Sequence, residues 1–543
     1  MSRMFFYNAN VRTMDPARPR AASLLVENGR ILAVGGNRAA LAAARGAPCI
    51  DLEGKTLLPG FIDGHSHLVA NSYRRLFADA RPGAGSCGDL LCCIASLQKQ
   101  FKAWLPARRP GQWFVAMGLD ESFWPRAVPP TRYDLDQIST EVPVCVVHAS
   151  GHAAVFNSCA LALCGITRDT RCPEGGGMPR LENGEFSGLL QENAFFAQRA
   201  HFPQPSLPEL LKALKGSCQE YLSYGITTAQ DAKVTQSDLP LLRTAQGLGL
   251  FPLDVALYFD PDAAQKALPK RCPAQNRYFR HVRAAGCKLF LDGSPQARTA
   301  WLSEPYFIPP EGKGSDYRGF AAMSDEALCD RLEECFANHW QVNVHTNGDE
   351  AIEQLLRCWG AVSARHPGAA NLRPVFIHCQ TVRPDQLDRI AALGMCISFF
   401  SDHVYYWGDY HADVTLGMAR AARISPVKSA LARGIPCTIH EDTPVVPPNI
   451  LLAVQNAVLR RTRSGRLLGA EECLTVQAAL ECVTRAGAYQ LFEEKRKGTL
   501  TPGKLADMVL LDTDPFTVPP DEIAAISVLA TLKNGRCIWQ APR

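Results

Sequence analysis

The sequence predicts an α/β fold in which eight parallel strands and their helices close into a (β/α)8 barrel, with a small additional sheet domain. Three observations support this prediction. The middle of the chain alternates β-like apolar runs with stretches of helical spacing, which is typical of a parallel sheet. Both ends instead carry short β-like runs separated by turn sequences. The interval of about residues 68–224 is too long for one connection between strand and helix, and indicates an inserted lobe.

Residues 1–58 are predicted to form the first part of the sheet domain. The segment Ser-Leu-Leu-Val-Glu-Asn-Gly-Arg-Ile-Leu-Ala-Val contains two β-like runs joined by an Asn-Gly turn. Residues 497–543 show the same pattern in Ala-Asp-Met-Val-Leu-Leu-Asp and Ala-Thr-Leu-Lys-Asn-Gly-Arg-Cys-Ile-Trp. Two β-rich ends around an α/β middle predict one sheet domain assembled from both termini.

Residues 59–496 are predicted to hold the barrel. Its β-like runs end near His67, Asp231, Phe259, Asp292, Asp349, Gln380, Ser401 and Asp442. Most gaps after the second run are long enough for a crossover helix, and helical spacing is clear at 207–224 and 324–338. The active site of such a TIM barrel lies at the C-terminal ends of its strands. We expect the lobe at about 68–224 to form a lid or wall of that site.

The composition indicates a globular protein without a nucleic-acid or membrane partner. Hydrophobic residues make up 47% of the 543 residues, charged residues make up 20%, and the net charge is only +4. No run is long enough to span a membrane, and the N-terminus reads as a strand rather than a signal peptide. The 20 cysteines include no Cys-x-x-Cys pair and are expected to be reduced thiols. Together these features predict a cytoplasmic protein.

His65 and His67 are the first candidate ligands of a metal ion. They lie two residues apart at the end of an apolar run, in Leu-Leu-Pro-Gly-Phe-Ile-Asp-Gly-His-Ser-His. Side chains at i and i+2 project from the same face of a strand, so both imidazoles can reach one point. A divalent metal is the usual reason for such a pair. The alternative is a pair of polar residues in the loop after a strand.

His345, His378 and Asp442 are the next candidate ligands, because each closes a short β-rich run and is followed by turn-type sequence. Lys288 is different, because it sits near the start of its β-like run and a protonated ammonium cannot bind a metal. Burial near a dication would lower its pKa, and carbon dioxide could then carboxylate the neutral amine. The resulting carbamate could bridge two metals. The alternative is an ordinary lysine paired with Asp292.

These segments together resemble the amidohydrolase superfamily, and more closely its YtcJ-like branch, which includes N-substituted formamide deformylase. The resemblance covers nearly the whole chain. Its motifs here are Pro-Gly-Phe-Ile-Asp-Gly-His-Ser-His, Ala-Ser-Gly-His-Ala-Ala-Val-Phe-Asn-Ser, Tyr-Gly-Ile-Thr-Thr-Ala-Gln-Asp, Lys-Leu-Phe-Leu-Asp-Gly-Ser, Val-His-Thr-Asn-Gly-Asp, Ile-His-Cys-Gln and the tail Gly-Thr-Leu-Thr-Pro-Gly-Lys-Leu-Ala-Asp-Met-Val-Leu-Leu-Asp.

The resemblance implies a composite β-sandwich from both termini and a binuclear metal site in the barrel. His65, His67 and Asp442 would hold one metal, His345 and His378 the second, and carboxylated Lys288 would bridge them. Imidazoles and carboxylates fit Zn²⁺, with manganese, iron or nickel as alternatives. A metal-activated hydroxide would attack a polarised carbonyl, with Asp442 as general base and then general acid.

Substrate-binding candidates are Asp120, Trp124, His152, His403 and His440, and each of the first four could equally be structural. His440 marks a departure, because the family usually has Gly-Ser where this chain has His440-Glu441. Its spacing from Asp442 places the imidazole inside the barrel mouth. We predict that His440 contributes to substrate fit; the alternatives are that it orients Asp442, fills space that relatives leave open, or binds a metal.

The predicted function is hydrolysis of a small-molecule amide, either an N-substituted formamide or another small apolar or aromatic amide. Ring opening of a cyclic amide and deamination are alternatives that would use the same site. A non-catalytic relative that serves as an interaction scaffold is a third alternative. A homodimer is left open as the assembly.

Overall fold

The computed structural model describes residues 3–36, 44, 46–81, 89–124, 128–149, 151, 153–173, 176–198, 201, 205–268, 277–310, 312–366 and 368–542. The chain divides into two compact units. The first unit comprises Met1–Val69 and Lys215–Arg543, and the second comprises Ala70–Leu214. The second unit falls inside the interval for which the sequence predicts an inserted lobe.

The N-terminal region of the first unit is made of short strands. They are β1 (Arg3–Tyr7), β2 (Asn10–Arg12), β3 (Arg20–Ala21), β4 (Ser23–Glu27), β5 (Arg30–Gly35), β6 (Cys49–Asp51), β7 (Thr56–Pro59) and β8 (Phe61–Ile62). Strands β4 and β5 form the predicted hairpin. Asn28 and Gly29 at its turn both have positive φ, at 50° and 81°, as a two-residue Asn-Gly hairpin turn requires.

The second unit contains a six-stranded sheet of its own, with the order β13-β14-β12-β11-β10-β9. Its strands are β9 (Ala78–Asp79), β10 (Phe114–Leu119), β11 (Val144–His148), β12 (Ala153–Phe156), β13 (Gly176–Gly177) and β14 (Leu189–Glu192). Its helices are Leu90–Trp104, Arg132–Asp136, Ser158–Leu163 and Asn193–Phe196, while Leu68–Arg74 and Leu207–Ser223 contain the boundaries with the first unit.

The centre of the first unit is an eight-stranded parallel sheet with the order β21-β20-β19-β18-β17-β16-β15-β8. Its remaining strands are β15 (Ile226–Val234), β16 (Asp254–Phe259), β17 (Val282–Phe290), β18 (Gln341–Thr346), β19 (Val375–His378), β20 (Cys396–Phe399) and β21 (Cys437–Ile439). Every residue of β16, β19 and β20 is buried, as expected for a parallel sheet covered on both faces. The prediction of an α/β fold with a parallel sheet is confirmed.

Helices follow the strands of this sheet, as crossover connections require. They are Leu239–Gly247, Pro261–Ala267, Asp325–Ala337, Asp349–Ser363, Pro384–Ala392, Asp402–Tyr410, Met418–Ala421, Val427–Ala432, Ile450–Leu459, Val476–Cys482 and Arg485–Gln490. Helix Asp325–Ala337 begins after Ser324, whose hydroxyl accepts a hydrogen bond from the Ala327 amide. It matches the helical spacing predicted at 324–338.

Three C-terminal strands join the N-terminal ones. They are β22 (Met508–Leu511), β23 (Val528–Lys533) and β24 (Arg536–Gln540), and they extend a six-stranded sheet with the order β24-β23-β22-β7-β2-β3. The other terminal sheet has the order β5-β4-β1-β6. Both sheets contribute to one hydrophobic core, in which Phe6 and Leu24 pack in a cluster with Met508 and Leu532. One sheet is therefore built from both ends of the chain.

Within the described ranges, no helix is long and apolar enough to cross a membrane. The cysteines of the same ranges are free thiols, in agreement with the sequence.

Candidate metal centre

The candidate ligands meet at the C-terminal ends of the parallel strands. His378 is the last residue of β19, and His345 is the last but one of β18. Their strands are in register, with Thr346 opposite His378 and Phe290 of β17 opposite His345. Asp442 follows β21, and its amide donates a hydrogen bond to the carbonyl of His65, 3.1 Å away. The ends of the first and last strands are thereby held together.

Asp442 is at the centre of the cluster. Its Oδ1 lies 3.2 Å from Nε2 of His67 and 3.5 Å from Nε2 of His65, and its Oδ2 lies 3.9 Å from Nε2 of His378. The side chains of Asp442 and His345 each remain 14% exposed and that of His67 21%, whereas His65 and His378 are buried. The open side of the cluster is therefore lined by Asp442, His67 and His345.

Hydrogen bonds to backbone carbonyls leave one ring nitrogen of two histidines free of its proton. Nδ1 of His67 donates to the carbonyl of Ala232, 2.7 Å away, so its Nε2 carries the lone pair. Nε2 of His345 donates to the carbonyl of Gly293, 3.0 Å away, which leaves the lone pair on Nδ1. Such contacts from the outer nitrogen are typical of metal-binding histidines.

His65 faces Lys288. Nζ of Lys288 lies 2.9 Å from Nε2 of His65, so this ring nitrogen points into the cluster. Lys288 is the seventh residue of the nine-residue strand β17, not near the start of its run as the sequence suggested. The Asp292 carboxylate instead accepts hydrogen bonds from the amides of Trp301, Asn347 and Gly348.

Burial favours the uncharged form of three imidazoles and one amine in the cluster. It lowers the pKa of His345 to about 3 and that of His65 and His378 well below the usual range, so these imidazoles are neutral and able to bind a metal. Burial also lowers the pKa of Lys288 to about 7. Near neutral pH, a large share of Lys288 therefore exists as the amine.

Asp442 stays ionised. Burial alone would raise its pKa, but the contact with His67 outweighs burial and lowers the pKa below the usual value. Its Oδ1 is buried and has no hydrogen-bond partner among the described residues. An ionised oxygen of this kind is costly unless a cation lies against it.

The donor set fits a divalent metal. Two groups of three donor atoms, each within 4.8 Å of one another, share Asp442: one adds His65 and His67, the other His378 and His440. Neutral imidazole nitrogens and a carboxylate oxygen are the ligands that Zn²⁺ takes in catalytic sites.

Two of these residues have a backbone conformation that is unusual outside glycine. Asp442 has φ 54° and His378 has φ 69°, both in the left-handed region. Asp, Asn and His are enriched there, but the conformation still costs energy and is concentrated at functional sites. The strand ends are therefore bent at the positions where the side chains enter the cluster.

The weaker candidates fall into different surroundings. His403 begins the helix after β20, is buried, and has its ring centroid 5.9 Å from that of His378. Asp120 and Trp124 belong to the second unit, where Asp120 caps a helical turn at Glu121–Phe123 and Trp124 packs in a hydrophobic core. A further group of potential donors in that unit is Asp120, Glu121 and His148. His152 lies outside the described residues.

His440 is completely buried and contacts the cluster through His378. Its Nε2 lies 3.1 Å from Nδ1 of His378, and its Nδ1 lies 2.8 Å from Oγ of Ser398. Sequence reasoning missed Ser398 and its neighbours Thr438 and Gln490. Only the alternation along β20 and β21, which turns Ser398 and Thr438 to one side of the sheet, could have indicated them.

Comparison with known proteins identifies the family to which this chain belongs. The Amidohydrolase family profile matches residues 49–539. Over 98% of both chains, the sequence is 27% identical to YtcJ of Bacillus subtilis (strain 168), whose name assigns it to the amidohydrolases. It is 26% identical to N-substituted formamide deformylase of Arthrobacter pascens, again over 98% of each chain.

A solved structure agrees with the fold. An uncharacterized metal-dependent hydrolase from Pyrococcus horikoshii OT3 superposes with a TM-score of 0.76 at 23% identity, covering 96% of this chain and 99% of that one. The matched family region contains the whole histidine and aspartate cluster, which confirms the resemblance found in the motifs. The chain therefore belongs to the amidohydrolase family and is a metal-dependent hydrolase of carbon–nitrogen bonds.

Proposed function

We propose that this protein hydrolyses a linear amide, with an N-substituted formamide or another small apolar or aromatic amide as substrate. The observation that carries the proposal is the convergence of His65, His67 and His378 on the ionised carboxylate of Asp442. The formamide is favoured because the deformylase of Arthrobacter pascens aligns over nearly the whole chain. Phe290, stacked on His345 with ring centroids 5.1 Å apart, offers an apolar surface for a substituent.

The metal ions are proposed to be two Zn²⁺. His65, His67 and Asp442 would hold one, and His345 and His378 the other. When bound, such ions lower the pKa of water and polarise a carbonyl group. The neutral amine of Lys288 would attack carbon dioxide, forming a nitrogen–carbon bond and releasing a proton, to give a carbamate between the two ions.

Asp442 is the residue proposed to move the proton. Its lowered pKa keeps it ionised at neutral pH, and one oxygen of the carboxylate can accept a proton from the attacking water. The same carboxyl group then delivers that proton to the leaving nitrogen as the carbon–nitrogen bond breaks. The partial exposure of Asp442 gives the substrate access to this oxygen.

The fold around the site supports the proposal. We propose that the eight-stranded sheet closes as a (β/α)8 barrel. The segments that follow its first and last strands are joined by two backbone hydrogen bonds, from the amide of Asp442 to the carbonyl of His65 and from the amide of His67 to the carbonyl of Thr443. The shared core of the two terminal sheets supports their packing as a composite β-sandwich.

Elemental analysis combined with a substrate panel tests this function. We expect two zinc ions per chain, and turnover of N-substituted formamides above that of other linear amides, lactams, amidines and esters. Preference for a lactam or for an amidine would instead establish ring opening or deamination on the same ligands. Purified, folded protein that binds no divalent metal would contradict the proposal.

Replacing Lys288 tests whether its carbamate bridges the two metal ions. We expect Lys288→Ala to lose at least one metal per chain and to lower kcat/KM at least about 100-fold, since it removes the anion that balances the two cations. The wild-type protein should give a carbamate signal in ¹³C NMR with labelled bicarbonate, and the variant should not. Lys266→Ala, at an exposed position, is the matched control. A variant that keeps its metals and activity would exclude the bridge.

A further inference from the structure

A chain of hydrogen bonds leads from a backbone carbonyl to His378. The chain consists of five hydrogen bonds, and all of its side chains are buried. The distances are 2.8 Å from Gln490 Nε2 to Gly64 O, 2.6 Å from Thr438 Oγ1 to Gln490 Oε1, 2.8 Å from Ser398 Oγ to Thr438 Oγ1, 2.8 Å from His440 Nδ1 to Ser398 Oγ and 3.1 Å from His378 Nδ1 to His440 Nε2.

The carbonyl of Gly64 gives the chain its direction, because a carbonyl can only accept. Gln490 must place its NH₂ group there, which turns its Oε1 toward Thr438. The Thr438 hydroxyl has one proton, and Gln490 Oε1 can only accept, so that proton is committed to Gln490. With the Thr438 proton committed, the 2.8 Å contact between Thr438 Oγ1 and Ser398 Oγ can be bridged only by the proton of the Ser398 hydroxyl.

The same count of protons determines which ring nitrogen carries the proton in His440 and in His378. The Ser398 proton is committed to Thr438, so Ser398 Oγ accepts from Nδ1–H of His440. His440 is completely buried and its two ring nitrogens face uncharged partners, so it carries a single ring proton and its Nε2 must be an acceptor. Only Nδ1–H of His378 can supply the proton to it. His378 is neutral as well, so its Nε2 carries the lone pair, on the side of Asp442.

We propose that His440 is a positioning residue that fixes His378 as the Nδ1–H tautomer and presents its Nε2 to the metal. The inference rests on the proposed metal site at His378. The outer nitrogen of a metal-binding histidine usually donates to a carboxylate, a backbone carbonyl or water. Here a second imidazole takes that place, and the direction of the chain behind it excludes the opposite tautomer.

The rival assignment makes His440 itself a ligand, because His378, His440 and Asp442 have donor atoms within 4.8 Å of one another. The geometry favours positioning, since the Nε2 that would bind the metal is already at hydrogen-bond distance from His378 Nδ1. Its other nitrogen is engaged by Ser398. Substrate contact is disfavoured on the same grounds, because both nitrogens face protein atoms.

The tautomers can be measured in metal-free, full-length protein by long-range ¹H–¹⁵N NMR with labelled histidine, assigned by single substitutions. We expect both His378 and His440 to carry their proton on Nδ1. In Ser398→Ala, the mixture of tautomers at His440 should increase. Protonation of His440 on Nε2, or of His378 on Nε2, would overturn the proposal. This measurement needs no metal, so it is independent of the proposed function.

Metal affinity, measured by competition with a chelator, tests whether His440 supports metal binding by His378. We expect His440→Leu to lower the affinity for one of the two metal ions about 10–100-fold, as loss of the outer hydrogen-bond partner of a metal-binding histidine does. The affinity for the other ion should be unchanged. His440→Gln places an accepting Oε1 near the lost Nε2 and should restore much of the affinity. His411→Leu is the matched control, since His411 is also buried and bonded to Gln380 and Thr415.

Three results separate the possibilities. Complete loss of one metal in both His440→Leu and His440→Gln would make His440 a ligand and overturn the positioning role. Unchanged affinity in His440→Leu would overturn it as well. Wild-type protein that binds no metal would refute the proposed function while the tautomer measurement still stands. If His440→Leu fails to fold, Ser398→Ala supplies the same comparison.

Discussion

We expect Asp442→Asn to lower kcat about 10²–10⁴-fold and to leave the protein folded. Asparagine has nearly the same shape, but its amide cannot accept and deliver a proton, and it is a poorer ligand for a cation. Asn also tolerates positive φ as well as Asp does, so the backbone at φ 54° is not disturbed. Loss of activity is then attributable to the carboxylate rather than to strain.

The measurement is steady-state hydrolysis together with metal content and the thermal midpoint of each variant. Asp413→Asn is the matched control, because Asp413 is 58% exposed and pairs only with Arg466 among the described side chains. Near wild-type activity in Asp442→Asn would remove Asp442 from the proposed mechanism. A folded variant that keeps its metals but not its activity would assign the proton transfer to this residue.

Much of the candidate site could be predicted from sequence because its ligands are local to strand ends. His65 and His67 are two residues apart, and His345, His378 and Asp442 each follow a run of buried β-formers, so periodicity alone places them at one edge of a parallel sheet. The hairpin at Asn28-Gly29 was predictable for the same reason, since its turn conformation depends on the turn residues themselves.

The environment of His440 could not be predicted, because it depends on contacts between strands. Its spacing from Asp442 suggests a side chain in the open mouth of the barrel, whereas packing of β19, β20 and β21 encloses it between His378 and Ser398. Lys288 was placed too early in its strand for a related reason. The run at Val282–Phe290 has an arginine at its second position, which hides its start from an apolar pattern.

Asp254 lies in a buried ionic network, which sequence reasoning also missed. Its Oδ2 lies 2.5 Å from Nζ of Lys497 and 2.6 Å from Nζ of Lys533, and its Oδ1 lies 2.7 Å from Nδ1 of His281. Lys533 also pairs with Asp507 at 2.8 Å. The network therefore joins strand β16 of the parallel sheet to strand β23 of the terminal sheet.

Burial alone would raise the pKa of Asp254, but the charges of Lys497 and Lys533 outweigh it and hold the pKa well below the usual value. A carboxyl group with a lowered folded pKa stabilises the fold at pH values above its unfolded pKa of about 3.9. That stabilisation is lost as the pH falls through the still lower folded value. It is therefore complete near neutral pH and fades only in acid.

Asp254→Asn destabilises the first unit by about 3–5 kcal/mol, because it leaves two buried ammonium groups without their shared counter-charge. The effect should appear at neutral pH as a lower urea midpoint and as faster hydrogen exchange in β16 and β23. The difference from wild type should shrink as the pH falls below about 3.9 toward the folded pKa, since protonation of Asp254 in the unfolded chain then removes the stabilisation that its charge provides. Asp262→Asn, at a position 78% exposed, is the control and should change stability little. A midpoint for Asp254→Asn equal to that of Asp262→Asn at neutral pH would show that the two lysines find other counter-charges, and that this network does not hold the sheets together.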